Sequence, residues 1–209
     1  DVAFDNDGNL YGTTYSGGAS DNGTIFKITP NGTESLLRSF SGGDGANPAA
    51  GVTIDPKTGD LYGLTESGGS ANDGVLYRLS ADGTFTALHA FAGGSDDGRY
   101  PEWRMIRDKK GNFYGTTKAG GPLDEGVIFS YSAKGKYTVL HTFDTTTGPP
   151  VGRLARDSKG NLYGALSVGG SATACSGHGC GAIYRLSPDG TFVILDSFTN
   201  NDDGRYPSG

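Results

Sequence analysis

Short runs of alternating apolar and polar residues, separated by turns rich in glycine, asparagine and aspartate, make up the whole chain. The first of these runs predict four strands, at 2–4, 10–15, 24–28 and 34–40. A helical repeat would need stretches of roughly 10–15 residues with a 3.6-residue period, and the chain has none. The pattern therefore predicts an all-β protein.

The second predicted strand begins with a motif that the chain contains four times. It reads Gly-Asn-Leu-Tyr-Gly-Thr-Thr at 8–14, and related copies begin at Gly59, Gly111 and Gly160, after 51, 52 and 49 residues. A fixed period of this size is typical of repeat proteins. We expect a single repeat domain over 1–209, with repeats at approximately 1–51, 52–104, 105–153 and 154–209.

Apolar residues fall on both faces of the predicted strands. Leu10 and Tyr11 are neighbours that both recur, although adjacent strand residues face opposite sides of a sheet. Each sheet is therefore expected to lie between two others. Four-stranded antiparallel sheets stacked face to face are the blades of a β-propeller. We predict four blades of about 50 residues in this chain. A segment of a larger propeller or an open repeat array is the alternative arrangement. As a different fold a β-solenoid ranks second, because it would use shorter coils without these hairpin turns.

The third and fourth strands of each repeat are joined by a turn that ends in glycine. In the first repeat the pair is Asn31-Gly32, which is typical of a type I′ hairpin turn with positive φ at both residues. Each fourth strand then ends at a phenylalanine that we expect in the core. These residues are Phe40, Phe91, Phe143 and Phe198.

The spacing between repeats continues across the two ends of the chain. Seven residues separate Pro48 from Asp55, and joining the end of the chain to its start gives the same step from Pro207 to Asp5. Three arrangements fit this register: a closed four-bladed ring, further repeats of the same polypeptide, and head-to-tail self-association. We expect some continuation beyond one chain, because uncapped repeat arrays expose apolar faces.

Three motifs at one period resemble the GloVer tandem repeats of choice-of-anchor surface proteins. They are Gly-Asn-Leu-Tyr-Gly-Thr-Thr at 8–14, Gly-Thr-Ile-Phe-Lys-Ile-Thr-Pro-Asn-Gly-Thr at 23–33 and Asp-Gly-Ala-Asn-Pro at 44–48. The resemblance covers essentially the whole chain, although 145–150 departs from it. It implies a secreted bacterial or archaeal protein of propeller-like fold, tethered by a C-terminal anchor, of which this chain shows no sign. No catalytic residues are carried over from it.

Composition excludes several partners. The formal net charge is −6 and the pI is near 4.9, so there is no basic face for a phosphate backbone and we expect no nucleic-acid binding. No apolar run approaches the roughly 20 residues that span a bilayer, so we expect no membrane insertion.

The two cysteines, Cys175 and Cys180, lie in a glycine-rich loop. We predict a disulfide, which indicates an oxidising compartment and hence an extracellular or cell-surface location. The alternative is half of a zinc site, but only His178 lies nearby, whereas a structural site uses four ligands.

The candidate ligand-binding residues belong to a sequence, Asp-Asp-Gly-Arg-Tyr-Pro, that occurs at 96–101 and at 202–207. Acids, an arginine and a tyrosine on a glycine-rich loop could hold a glycan or Ca²⁺. The alternative is an Asx-type turn whose arginine and tyrosine pack between sheets. The candidates are Asp96, Asp97, Arg99, Tyr100, Asp202, Asp203, Arg205 and Tyr206.

Two Asn-Gly-Thr sequons place candidate glycosylation sites at Asn22 and Asn31. The same tripeptide is also what a hairpin turn followed by a strand produces. Asp5-Asn6-Asp7-Gly8-Asn9 resembles the start of a calcium loop but lacks the glutamate at position twelve, so we interpret it as a turn.

No catalytic constellation stands out above the repeats. His89 and His141 share one repeat position, which Arg38 and Asp196 fill elsewhere, and a variable polar position on the fourth strand predicts a solvated edge. We therefore expect no cofactor and a non-catalytic extracellular protein with a structural or adhesive role, as a subunit of a surface or filamentous assembly. The alternatives are a propeller enzyme of lactonase or lyase type and a glycan-binding lectin.

Overall fold

A computed structural model describes residues 1–170, 175, 179–199, 201 and 203–208. These residues form eighteen strands and confirm the all-β prediction. The strands are β1 (Val2–Phe4), β2 (Leu10–Thr14), β3 (Thr24–Ile28), β4 (Glu34–Ser39), β5 (Thr53–Ile54), β6 (Leu61–Thr65), β7 (Val75–Leu79), β8 (Phe85–Ala90), β9 (Gly98–Arg99), β10 (Ile106–Arg107), β11 (Phe113–Thr117), β12 (Ala119–Gly120), β13 (Val127–Tyr131), β14 (Tyr137–Thr142), β15 (Pro150–Arg156), β16 (Leu162–Leu166), β17 (Ala182–Leu186) and β18 (Phe192–Ser197).

Most of these strands belong to four four-stranded sheets, in each of which the spatial order follows the order along the chain. Sheet 1 is β1-β2-β3-β4, sheet 2 is β5-β6-β7-β8, sheet 3 is β10-β11-β13-β14 and sheet 4 is β15-β16-β17-β18, while β9 and β12 form a two-stranded sheet. The four strands predicted for the first repeat are confirmed to within one residue at each end.

The chain forms two compact units. Residues 1–92 with 99–107 make up unit 1, which contains sheets 1 and 2, and residues 93–98 with 108–209 make up unit 2.

The turn between the third and fourth strands differs from the predicted type I′ turn. In the first repeat Gly32 has φ 85°, whereas Asn31 is not among the residues with positive φ. The Gly32 N–H donates to the Thr29 carbonyl (2.8 Å) and the Thr29 N–H to the Thr33 carbonyl (3.0 Å). This is a type I turn followed by a left-handed glycine. The loop between Thr29 and Thr33 has three residues, a length for which a type I turn followed by a left-handed glycine is the usual form. Pro30 is compatible with this turn but is not required, because the same hydrogen bonds occur where Ala81 and Ala133 hold its position.

The glycine inside the repeated motif is explained by an aromatic ring on the neighbouring strand. Gly63 of β6 is paired with Tyr77 of β7, and a Cβ atom on Gly63 would overlap the ring of Tyr77. The cross-strand pair has the same form in the other sheets: Gly12 with Phe26, Gly115 with Phe129 and Gly164 with Tyr184. The ring can therefore lie flat on the backbone of the second strand.

The predicted core phenylalanines join neighbouring sheets. Phe40 is fully buried, and its ring centroid lies 5.3 Å from that of Tyr77 and 6.0 Å from that of Phe85, both in sheet 2. In unit 2, Phe143 makes the same contacts with the rings of Tyr184 (5.5 Å) and Phe192 (5.9 Å) of sheet 4. Sheets 1 and 2, and likewise sheets 3 and 4, thus pack face to face.

We expect Phe40→Ala to lower the free energy of unfolding by about 3–5 kcal/mol, because it leaves a cavity between two sheets. Urea denaturation followed by circular dichroism measures the loss. Phe198→Ala is the matched control: Phe198 holds the same repeat position but is only half-buried, so its loss should be clearly smaller. Equal losses would show that inter-sheet burial is not what Phe40 supplies.

Gly63→Ala should cost about 1–3 kcal/mol, because the new methyl group meets the fully buried ring of Tyr77 and overpacks the sheet. The equivalent change Gly12→Ala should cost less, since Phe26 is only half-buried and its ring has room to move. Thermal unfolding of the two variants compares them directly. A larger cost for Gly12→Ala would contradict this explanation of the motif.

Candidate functional site

The aspartate that ends the first strand of a repeat organises the turn that follows it. One carboxylate oxygen of Asp5 accepts from the N–H groups of Asp7 (3.0 Å) and Asn9 (2.9 Å). The other accepts from the Asn9 amide (2.8 Å) and the Tyr11 hydroxyl (3.0 Å). Equivalent networks surround Asp108 and Asp157. These carboxylates stabilise turns, in agreement with the turn interpretation of 5–9.

The titration of these groups follows from the network. The side-chain hydrogen bond from Asn161, assisted by those from backbone N–H groups and Tyr163, lowers the pKa of Asp157 to about 2. Burial, together with the hydrogen bond to Asp5, raises the pKa of Tyr11 to about 12. The Asp157 carboxyl is therefore ionised and the Tyr11 phenol is neutral across the physiological range. Each suits a fixed structural hydrogen bond in its own turn rather than proton transfer.

Among the candidate residues at 96–101, several contacts involve the backbone. The Asp97 carboxylate accepts from the Gly98 N–H (2.7 Å), and its carbonyl accepts from the Gly121 N–H (2.9 Å). In unit 1, Tyr100 has φ 57°, and the guanidinium of Arg99 lies 5.2 Å from the centre of its ring.

The second copy of this loop has the same features in its described part. Asp203 accepts from the N–H (3.0 Å) and the hydroxyl (2.9 Å) of Thr199. Tyr206 has φ 52°, and the guanidinium of Arg205 lies 5.4 Å from its ring centre. Asp202 lies outside the described residues. The arginine–tyrosine contact and the acid-capped turn support the Asx-turn interpretation of both loops.

One role of these tyrosines was missed by the sequence analysis. The Tyr100 N–H donates to the Asp73 carbonyl (2.9 Å) and the Tyr206 N–H to that of Cys180 (2.7 Å). Asn47, with φ 57°, does the same with Asn22 (2.9 Å). All three precede a proline, and this shared position was the available signal. Each connection is thereby fixed to the loop that precedes the third strand of its repeat.

The predicted disulfide is confirmed. Cys175 and Cys180 are bonded, with their Cα atoms 5.3 Å apart, and Cys180 is fully buried. Both thiols are thus used, which removes the zinc alternative for them, and His178 lies outside the described residues. Within the described part of the chain, no group of three or more His, Cys, Asp or Glu side chains could hold a metal ion.

The two sequons differ in accessibility. Asn22 is half-buried, and its carbonyl accepts from the Asn47 N–H. Asn31 is exposed, and its side-chain oxygen accepts from the Thr33 N–H (3.1 Å). Glycosylation stays a prediction at both positions.

The expectation of a solvated edge at the histidine position is wrong for His141. Its ring is stacked on Phe192 of sheet 4, with centroids 4.0 Å apart, and meets the ring of Phe143 edge to face at 5.1 Å. Burial lowers the pKa of His141, against the opposing influence of Asp144. Its ring therefore packs between sheets. The fourth strand is an edge of its own sheet but is covered by the next one.

Two crevices lie at equivalent repeat positions. One of about 320 Å³ lies between sheets 1 and 2, where Lys27 extends over the ring of Tyr11 (5.6 Å) beside Leu61. Another of about 230 Å³ lies between sheets 3 and 4, where Arg156 lies over Tyr114 (5.4 Å). Their walls come from different repeats, so sequence reasoning within one repeat did not find them.

Comparison with known families gives one match over the full length. The Gloeobacter/Verrucomicrobia repeat model matches residues 1–209, as the resemblance in the sequence predicted. No curated protein matches the sequence. The described residues contain no helix with the length and apolar character that crossing a membrane requires.

Solved structures with a similar fold include lyases, a putative gluconolactonase and a sialidase. A streptogramin B lyase is similar with a TM-score of 0.63 and 17% identity, over 97% of this chain and 55% of its own. A virginiamycin B lyase from Staphylococcus aureus with quinupristin has a TM-score of 0.60 and 16% identity, over 93% of this chain and 54% of its own. The Hadza microbial sialidase Hz136 has a TM-score of 0.58 and 17% identity, over 94% of this chain and 45% of its own. At these identities the similarity shows a propeller-like fold, and this chain spans about half the length of those proteins.

The lowered pKa of Asp157 predicts an acid-sensitive turn. The folded state favours the carboxylate, so its stabilisation is complete above the ordinary value of 3.8 and is lost as the pH falls to about 2. We expect Asp157→Asn to lower the melting temperature at pH 7 and to lose less stability than the wild type between pH 4 and 2.

Melting curves at several pH values measure this difference. Asp7→Asn is the control, because the N–H of Asp7 rather than its carboxylate takes part in the corresponding network. Parallel acid profiles for the wild type and Asp157→Asn would contradict the prediction.

Proposed function

Because the chain belongs to the Gloeobacter/Verrucomicrobia repeat family, we propose that it is a non-catalytic extracellular repeat module with a structural or adhesive role. One observation carries this proposal. The carboxylate that follows the first strand makes the same structural contacts in the first, third and fourth repeats, and in the second repeat Asp55 forms an ion pair with Arg107 (2.6 Å).

The carboxylates illustrate this best. Asp5, Asp108 and Asp157 accept the same hydrogen bonds from their own turns. An active site needs groups of different kinds that converge on one place and differ from the repeat background. The recurrence of these structural contacts therefore favours the non-catalytic role over the lactonase or lyase alternative.

We further propose that the four sheets are blades of a β-propeller to which other repeats contribute. Face-to-face packing of the two four-stranded sheets within each unit supports this architecture. The chain aligns over 97% of its own length with only 55% of the streptogramin B lyase structure, which supports a complete propeller larger than this chain.

The extracellular location rests on the disulfide between Cys175 and Cys180. Disulfides of this kind persist in oxidising compartments and are rare in the cytosol. The acidic net charge of −6 also suits a module that stays dispersed at a surface.

Glycan binding is the second candidate function, and the two inter-sheet crevices favour it. Each combines an aromatic ring, a cationic side chain and an apolar floor. Concave sites with a few convergent polar groups suit small ligands. Their recurrence at equivalent positions is what a repeat lectin requires, and an adhesive role would use it directly.

Incubation with quinupristin, which is present in the virginiamycin B lyase structure, and with a panel of simple lactones tests the absence of catalysis. We expect no turnover above a protein-free control. Turnover that follows the folded protein through purification and disappears on unfolding would overturn the non-catalytic proposal.

Calorimetric titration with oligosaccharides tests the second candidate. If the crevices bind sugars, Lys27→Ala combined with Arg156→Ala should weaken binding by about tenfold, equivalent to 1.4 kcal/mol. The control Lys109→Ala removes a positive charge from an exposed turn position and should leave binding unchanged. Binding that neither set of changes affects would exclude the crevices as the sugar site.

A further inference from the structure

Sheet 1 exposes apolar residues on one of its two faces. Val2 is 43% exposed, whereas its repeat equivalents Val52, Met105 and Leu154 are 0%, 1% and 4% exposed. Phe4 and Leu36, on the same face of sheet 1, are 66% and 61% exposed. We call these three residues, together with Glu34, the first end face.

Sheet 4 shows the complementary pattern on its opposite face. Leu195 is 46% exposed, although its equivalent Leu37 packs against the core between sheets 1 and 2. Phe198 is half-buried, whereas the other phenylalanines at this position are almost completely buried. We call Leu195, Asp196 and Phe198 the second end face. Both faces have the composition of an inter-sheet junction that lacks its partner.

The junctions within the chain show what such a face requires. At one position of the fourth strand, Arg38 of sheet 1 lies over the ring of Phe85 of sheet 2, 4.4 Å from its centre. The same position in sheet 3 is His141, stacked at 4.0 Å on Phe192 of sheet 4. Both of these junctions, one in each unit, place a cationic or imidazole side chain on an aromatic ring of the next sheet.

At the two end faces, the positions that correspond to Arg38 and Phe85 are held by acids. Asp196 is paired with Ile183 as Arg38 is with Ile25, so it holds the Arg38 position on the second end face. Glu34 is paired with Ile28 as Phe85 is with Leu79, so it holds the Phe85 position on the first end face. Both acids are exposed.

We propose that each end face is a junction with a further sheet of the same repeat type that offers a lysine or arginine to Glu34 or to Asp196. A second copy of this chain, joined in the same register, would instead set Asp196 against Glu34. Two carboxylates at an inter-sheet contact repel each other and lose their hydration. This unfavourable contact would disfavour a second copy as the partner. Of the continuations left open by the sequence, the charges thus favour other repeats over head-to-tail copies.

The proposal rests on the proposed propeller architecture and deepens it, whereas the proposed non-catalytic role would stand if it failed. Its test is a charge-reversal cycle on the complete chain at neutral pH, with self-association followed by sedimentation velocity. Glu34→Lys gives the first end face the basic side chain that Asp196 of another copy should accept, and Asp196→Lys does the reverse. We expect each single variant to self-associate at least about tenfold more tightly than the wild type.

The double variant Glu34→Lys/Asp196→Lys should return to weak association, because lysine then faces lysine. Asp7→Lys, which makes the same charge change in a turn outside both end faces, should behave like the wild type and so excludes a simple effect of net charge. High salt should reduce the gain of the single variants.

A mixing experiment keeps the test independent of filament growth. The labelled Glu34→Lys variant should bind the unlabelled wild-type chain, through the second end face of the wild-type chain. The same labelled variant should not bind unlabelled Asp196→Lys. Circular dichroism spectra confirm that each variant is folded. Tight association of the wild type, or single variants that associate no more tightly than it, would overturn the proposal and make a second copy the favoured occupant.

Discussion

The contact between a glycine of the second strand and an aromatic ring of the third supports the rest of this structure. Because Gly63 has no side chain, the ring of Tyr77 lies on the backbone of its neighbour and is fully buried. It then offers a flat surface to Phe40 of the preceding sheet. A side chain at the glycine would lift the ring and separate the two sheets, and dense inter-sheet packing tolerates little displacement. The repeated motif is therefore a packing requirement that recurs with the sheets.

The polar residues of the repeats serve the same packing. Asp5, Asn9 and Tyr11 satisfy one another at a turn, and Tyr100 and Tyr206 fix the connections between repeats through their backbone N–H groups. These groups are occupied because a chain of short strands has many turns, whose backbone donors and acceptors need partners. Catalysis would require polar side chains that are not already engaged in these structural hydrogen bonds. The crevices and the end faces are where the described residues leave surface for recognition.

Two of our sequence-based expectations failed for a physical reason that they share. The pair Asn31-Gly32 is compatible with a type I′ turn when taken alone, but the three-residue loop between Thr29 and Thr33 places it in a type I turn with a left-handed glycine. His141 lies on the edge strand of its own sheet, yet Phe192 of the next sheet covers it. In both cases the deciding group lay outside the element from which the expectation was drawn.

The sequence by itself determined the local order of this protein. It specified strands in which apolar and polar residues alternate, glycines at turns, a disulfide across a short loop and a fixed repeat. These follow from properties of neighbouring residues, which is why Val2–Phe4 and Thr24–Ile28 were placed correctly. Only the tertiary structure decided which positions face another sheet. It showed that Arg38 lies on Phe85, that crevices form between repeats, and that Val2 is exposed where Val52 is buried. Residues about fifty positions apart make these contacts, and burial depends on whether a neighbouring sheet is present.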